Sequence, residues 1–258
     1  MTPFRPYRTM FESLRATGGT SAAHDELDLI RKSLPRGKRP EEVRAWWDGL
    51  TERQREEYER AVPVDLYDLD GIPNDVKVKL RGHNGYSAVD AVRWAQANWD
   101  NTGIDKFPEN CANFVSHALN EGGLPQTGNM ATGPWRDTQW YDGSDTGWSK
   151  IDGPTSSASW KSVDAQKQFF LDHGGQQIPL SEAQPGDVVY WVQQGSGDKP
   201  AGEAHHAALI TGVTPDGNIH YTQHTDSRLD TSLDGRMPSY QIEVGQQQVV
   251  VVRPRRTW

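Results

Sequence analysis

The run Pro108-Glu109-Asn110-Cys111-Ala112-Asn113-Phe114-Val115-Ser116-His117-Ala118-Leu119-Asn120-Glu121-Gly122-Gly123 constrains this chain more than any other stretch. Cys111, Phe114, Val115, Ala118 and Leu119 recur at i, i+3, i+4, i+7 and i+8, the spacing of a helix with one apolar face to bury. Pro108 and Asn110 are start signals, and Gly122-Gly123 is a stop signal. Cys111, the only cysteine, therefore lies in the first turn of a helix. Unpaired N–H groups and the macrodipole there favour a negative charge, which predicts a thiol pKa below the free value of about 8.5. The competing reading makes Cys111 a small apolar residue on a buried helix face.

The downstream half of the chain supplies a partner. After Pro185-Gly186-Asp187, Val188-Val189-Tyr190-Trp191-Val192 reads as a buried strand. A Gly-rich loop from Gln193 to Glu203 leads into a second strand, His205 to Val213. Thr214-Pro215-Asp216-Gly217 is a type I turn sequence, and Ile219 to Thr225 returns as a third strand. A thiol at a helix N-terminus followed by a histidine on a hairpin is the pattern that Cys-His nucleophilic catalysis requires.

These blocks resemble a family. Asn110 to Leu119 followed by Gly122-Gly123 is similar to the "DCxNFVSQAL..GG" signature of the bacterial putative amidase domain. That family's clan is papain-like, with the CHAP and NlpC/P60 peptidoglycan hydrolases as relatives. The resemblance runs through Tyr86-Ser87-Ala88-Val89-Asp90-Ala91-Val92, Ser159-Trp160-Lys161-Ser162-Val163, Gly186 to Val189, His206 to Gly212 and Gln223-His224-Thr225, in the family's order, over residues 84 to 253. Two positions depart: Asn110 replaces the usual aspartate, removing a negative charge beside the thiol, and His117 replaces the usual glutamine. The resemblance implies an α+β, papain-like (NlpC/P60-CHAP-like) fold, with the nucleophile helix packed on an antiparallel sheet. It also implies Cys111 as nucleophile and His206 as base, with the Cys111 N–H in the oxyanion hole.

His205 is adjacent to His206 and must point to the other side, because strand side chains alternate. The third, orienting residue depends on register. A three-residue bulged loop pairs Thr214 with Asn218, which puts His224 opposite Ala208 and Asp226 opposite His206. A loop tighter by one residue brings Gln223 to that face instead. The Pro-Asp-Gly order favours the bulged loop, so His224 ranks ahead of Gln223, and Gln223 ahead of Asp226. His220 and Thr222 read as packing residues. The expected catalytic set is therefore Cys111, His206 and His224.

Composition narrows the function classes. A net charge of -8 with no basic, aromatic-interleaved patch argues against nucleic acid. No apolar run approaches membrane-spanning length. The first nineteen residues lack an apolar signal core, so the expectation is secretion or delivery by a non-Sec route, the protein otherwise staying cytoplasmic until release. The histidines lack cysteine or carboxylate partners at zinc spacing, so neither metal nor organic cofactor is expected.

The expected organisation is a flexible segment over 1–24, a helical extension over 25–83 and the amidase domain over 84–258. Asp25 to Lys32 predicts a short helix, Pro40 to Leu50 a second, and Thr51 caps a third that ends at Ala61. Trp46-Trp47, Leu50 and Leu69-Asp70-Gly71-Ile72-Pro73 resemble a segment that precedes effector domains in secreted actinobacterial proteins. The plainer reading is a helical hairpin packing its tryptophans on the catalytic domain. Between nucleophile and base, Trp135 and Trp140 read equally as cleft wall or as packing, and Trp160 as packing.

The expected activity is thiol-dependent hydrolysis of peptide amides, first of all peptidoglycan stem peptide or amide, in an antibacterial effector. An immunity protein or delivery partner is the protein partner this implies. Two other classes stay open: a toxin acting on protein as protease, deamidase or acyltransferase, and a degenerate, non-catalytic binding module.

Overall fold

The computed structural model describes residues 22–82, 85–128, 138–143, 156–195, 200–234 and 246–255. Six strands form one sheet: β1 (Gln176–Ile178), β2 (Val188–Gln193), β3 (Ala204–Val213), β4 (Ile219–Gln223), β5 (Arg228–Ser232) and β6 (Gln247–Arg253). Their order is β1-β6-β2-β3-β4-β5, and every neighbouring pair is antiparallel. The central strands are rich in β-branched and aromatic residues and buried on both faces, so β2 carries no polar/apolar alternation. The fold is α+β, as the sequence implies.

Nine helices precede or interrupt this sheet among the described residues: α1 (Ala22–Ser33), α2 (Pro40–Asp48), α3 (Glu52–Ala61), α4 (Pro63–Tyr67), α5 (Asn74–Arg81), α6 (Ala88–Asn98), α7 (Cys111–Glu121), α8 (Ala158–Lys161) and α9 (Val163–Asp172). None is long and apolar enough to cross a membrane. α7 is the helix anticipated around Cys111. Phe114, Val115, Ala118 and Leu119 are fully buried in a cluster with Ala207, Leu209, Tyr190 and Val252 of the sheet and Phe169 and Phe170 of α9. Truncating a side chain such as Phe114 to alanine there costs about 3–5 kcal/mol. The opposite sheet face holds a second cluster built on Val189, Trp191, Ala208, Ile210 and Tyr221.

The helices α1 to α5 enclose a third cluster, from Leu27 and Ile30 through Trp47 and Tyr58 to Ile72 and Leu80. Thr51 caps α3 by accepting from the Gln54 N–H, as its sequence suggests. Trp46 packs edge-on against Tyr58, so this pair belongs to the helical unit's own interior. The unit seats itself on the sheet through a close backbone approach. A Cβ built at Gly212 of β3 would lie 2.5 Å from the Ala61 carbonyl, so only glycine fits there.

Candidate active site

The hairpin turn forms as its sequence dictates. The Thr214 N–H donates to the Asn218 carbonyl and the Gly217 N–H to the Thr214 carbonyl, with Gly217 at φ 90°. Val213 pairs with Ile219 and Gly212 with His220, the register expected from the bulged loop. Thr211 is then an extra residue on β3, and beyond it Ile210 pairs with Tyr221 and Leu209 with Thr222. This β-bulge shifts everything beyond it by one residue. It carries Gln223, not His224, to the face of His206, with the anticipated turn left intact.

The contacts follow from that shift. His206 Nε2 lies 2.8 Å from Gln223 Oε1, and Gln223 Nε2 donates to the Asp226 carbonyl at 2.9 Å. The second bond fixes the amide: its nitrogen must face the carbonyl, so its oxygen faces the ring. His206 Nε2 therefore donates, and the neutral imidazole presents Nδ1 as its basic nitrogen. Trp191, the cross-strand neighbour of His206, lies over the ring with centroids 5.0 Å apart.

Cys111 arrives at the same strand end from α7. The Ile210 N–H donates to Asp187 on the β2 side, so by alternation the Ala207 N–H points to the β4 side, past the last β3–β4 pair. The Cys111 thiol takes that N–H, together with the one from Ala112. The Asn110 N–H donates to Thr225 Oγ1 at 3.3 Å, tying the start of α7 to the segment after Gln223. The sulfur thus sits on the N–H of the residue that follows His206 in β3. Burial is the main influence on the thiol and raises its pKa. The Ala207 and Ala112 N–H groups pull it back down, and Glu109 adds to the rise. The expected depression of the thiol pKa is thus corrected: a cysteine only 3% exposed loses more hydration than the helix start returns.

The family model for the putative amidase domain matches residues 85–245, more than half of the chain and the stretch that holds all of these side chains. The chain belongs to that family. That membership points, at a coarse level, to amide hydrolysis. One relative, "Uncharacterized protein YhbB" of Bacillus subtilis (strain 168), is 26% identical over 158 residues, covering 55% of this chain and 46% of the relative. The chain thus spans about half the length of the curated relative it matches. No solved structure matches it.

Below Cys111, α7 is held by a polar network inside the core. Gln166 Nε2 donates to the Ala112 carbonyl at 2.8 Å and to Ser116 Oγ at 2.7 Å, and Tyr190 donates to Gln166 Oε1 at 3.1 Å. Trp140 Nε1 donates to Ser116 Oγ and Trp160 Nε1 to Asn113 Oδ1, both at 2.9 Å. Both indoles are fully buried, so Trp140 is packing and not cleft wall, and Trp160 is packing as expected. Trp135 and Trp148 lie outside the described residues. Burial and the neighbouring Cys111 push the Tyr190 phenol well above its ordinary range, which keeps it a neutral donor. None of the polar partners on α9 or β2 was singled out in the sequence; a lone glutamine on an amphipathic helix gives no signal.

The remaining candidates fall elsewhere. His224 does not touch His206. Its Nδ1 lies 2.9 Å from the Trp99 carbonyl and its Nε2 2.7 Å from Asp105 Oδ1, and its ring stacks on Phe114. Asp226 contributes its carbonyl to Gln223, while its carboxylate pairs with Arg228 in solvent. His205 points away from His206, to Gln247 Oε1 at 2.8 Å. His220 is buried, with Nδ1 against the Asp230 carbonyl. His117 lies between Trp94 and Trp160, stacked on the first and edge-on to the second. Asn110 explains its own departure from aspartate. Its Oδ1 accepts from the Lys106 and Phe107 N–H groups, and its Nδ2 donates to the Phe107 carbonyl at 2.6 Å. An aspartate has no proton for that last bond.

Proposed function

We propose that the chain is a cysteine-dependent amide hydrolase of papain-like architecture, with Cys111 as nucleophile, His206 as base and then acid, and Gln223 as the group that orients His206. The observation that carries this reading is the thiol's seat on the N–H of Ala207, the residue that follows His206, together with the bond from Gln223 that fixes the His206 tautomer with Nδ1 basic. Because burial keeps the thiol protonated, attack requires a base. His206 Nδ1 takes the thiol proton as sulfur bonds to the carbonyl carbon of the amide. The oxyanion forms against the Cys111 N–H, a donor worth roughly 3 kcal/mol in sites of this type. His206 then gives its proton to the departing amine, leaving a thioester. Water, deprotonated by the same ring, cleaves the thioester, and the proton returns to sulfur with release of the acid.

Peptidoglycan stem peptide or amide is the first substrate to test, on the strength of the family's wall-hydrolase relatives. The resemblance of residues 46–73 to effector proteins supports delivery by a non-Sec route, with residues 84–258 as the catalytic domain. The test combines digestion of purified peptidoglycan and of peptide panels with iodoacetamide kinetics on wild type, Cys111→Ser and His206→Ala. Release of new amino termini by the wild type alone, with alkylation that slows in His206→Ala, is expected. Alkylation that follows an ordinary thiol in both proteins, with no cleavage, would sink the reading and leave a binding module.

A further inference from the structure

Gln223 reaches His206 because of the bulge at Thr211, and a second bulge lies on the other side of β4. On one side Thr211 is the extra residue of β3, and on the other β5 fits two residues, Leu229 and Asp230, opposite Thr222 alone. Asp230 sits at φ 46°, a backbone region that side chains other than glycine seldom adopt. Its carboxylate is buried and surrounded by donors. Thr211 Oγ1 donates to it at 2.6 Å across the width of β4, and Thr222 Oγ1 lies 3.4 Å away. Gln96 of α6 donates at 3.1 Å, and Arg31 of α1 completes an ion pair at 2.5 Å. The Asp230 N–H in turn donates to Thr222 Oγ1 at 3.1 Å.

From this arrangement we infer that Asp230 and Thr211 are positioning residues for the proposed hydrolysis. Their bond locks the two bulges together across β4 and so holds the register in which Gln223 meets His206. Without the extra residue at Thr211, the turn register continues unbroken and His224 takes the place of Gln223. Arg31 anchors the lock from α1, outside the stretch matched by the amidase family. The helical unit is therefore part of the catalytic device.

The inference rests on the hydrolase reading for its consequence, and its test carries a readout that does not. Thr211→Val keeps the shape and removes the hydroxyl, Thr211→Ser restores it, and Asp230→Asn removes the charge. Nitrogen-15 NMR of the His206 ring reports the tautomer, thermal melting reports the fold, and kcat and KM are measured on whichever amide the wild type cleaves. Thr211→Val and Asp230→Asn are expected to lose the fixed Nε2-protonated tautomer. Their kcat should fall by about tenfold to a hundredfold, the scale of an ångström-level misplacement, with KM nearly unchanged. Thr211→Ser returns both values toward wild type. Arg31→Met, acting from outside the sheet, gives the same tautomer shift in smaller measure and serves where a core variant does not fold. Variants that melt earlier yet keep the wild-type tautomer and kcat would overturn the inference. If the wild type cleaves nothing, the hydrolase reading fails by itself, and the tautomer still decides whether the lock sets the register.

Discussion

His206 and His224 stand at the ends of adjacent strands, both nearly buried, both against an aromatic ring, and their partners give them opposite capacities. His206 faces an amide oxygen through Nε2, which fixes a proton there and makes Nδ1 the basic nitrogen of the neutral ring. His224 has a partner on each nitrogen, the Trp99 carbonyl on Nδ1 and the Asp105 carboxylate on Nε2, and neither partner is the thiol. A neutral amide orients a ring while adding no charge beside it. A carbonyl and a carboxylate together turn a ring into a strut, here between α7, through Phe114, and the loop carrying Trp99 and Asp105. Under the proposed hydrolysis, partners and not proximity in sequence to a motif separate the two histidines.

The largest expected effects break the comparison at the first histidine. Cys111→Ser and His206→Ala should each lower kcat by at least about a thousandfold, the scale seen when one member of a nucleophile–base unit is lost. His224→Ala should instead keep measurable turnover and destabilise the fold by about 1–3 kcal/mol, because the Asp105 and Trp99 acceptors lose their partner. Activity assays beside urea unfolding separate the two outcomes. A variant of His224 that is inactive yet fully stable would reverse the roles assigned here. Gln223→Ala sharpens the same contrast. It frees the His206 ring to change tautomer and should cost about tenfold to a hundredfold in kcat, with a shifted pH–rate profile. Gln223→Glu adds a charge against the ring and should move that profile toward higher pH, since a carboxylate favours the imidazolium.

Much of this molecule was legible in its sequence. The α7 periodicity, the Gly122 stop, the strand at Val188 and the turn at Thr214 all formed where local pattern put them, since each depends on neighbours within a few residues. The residue that meets His206 ranks second in the sequence, behind His224, and the reason is specific. The turn register was right, and a bulge three residues before it, at Thr211, changed the outcome downstream. That bulge is bonded to Asp230 and faces Ala61 across Gly212, contacts distant in sequence that no hairpin rule can contain. The thiol pKa failed for a similar reason. Helix position is local, whereas the burial that outweighs it comes from the whole core.

The pH dependence of stability tests the second of those corrections. A thiol whose folded pKa is raised holds its proton when the unfolded chain has already lost it. Stability should therefore be level below the unfolded value of about 8.5 and fall as pH rises above it. Cys111→Ala lacks this linkage. The difference in unfolding free energy between wild type and Cys111→Ala, measured by urea at pH 7 and pH 10, should move against the wild type at the higher pH. A difference that grows in its favour would mean that the thiolate, held by the Ala207 and Ala112 N–H groups, is the form the fold prefers.

The smallest expected effect lies at Asn110, the one departure from the family's pattern beside Cys111. Asn110→Asp keeps the oxygen that accepts from Lys106 and Phe107 and strengthens those bonds with a charge at the start of a helix. It also replaces the Nδ2 donor with an oxygen 2.6 Å from the Phe107 carbonyl, two acceptors face to face. Loss of that buried donor outweighs the gain from the helix start, for a net destabilisation of about 1 kcal/mol. The added charge joins Glu109 in raising the thiol pKa, so iodoacetamide should react more slowly at neutral pH, by less than about tenfold. Thermal melting and alkylation rate should therefore fall together. A variant that gains stability instead would show that the 106–110 loop rearranges around a carboxylate, and that the asparagine is not needed for the path of this loop.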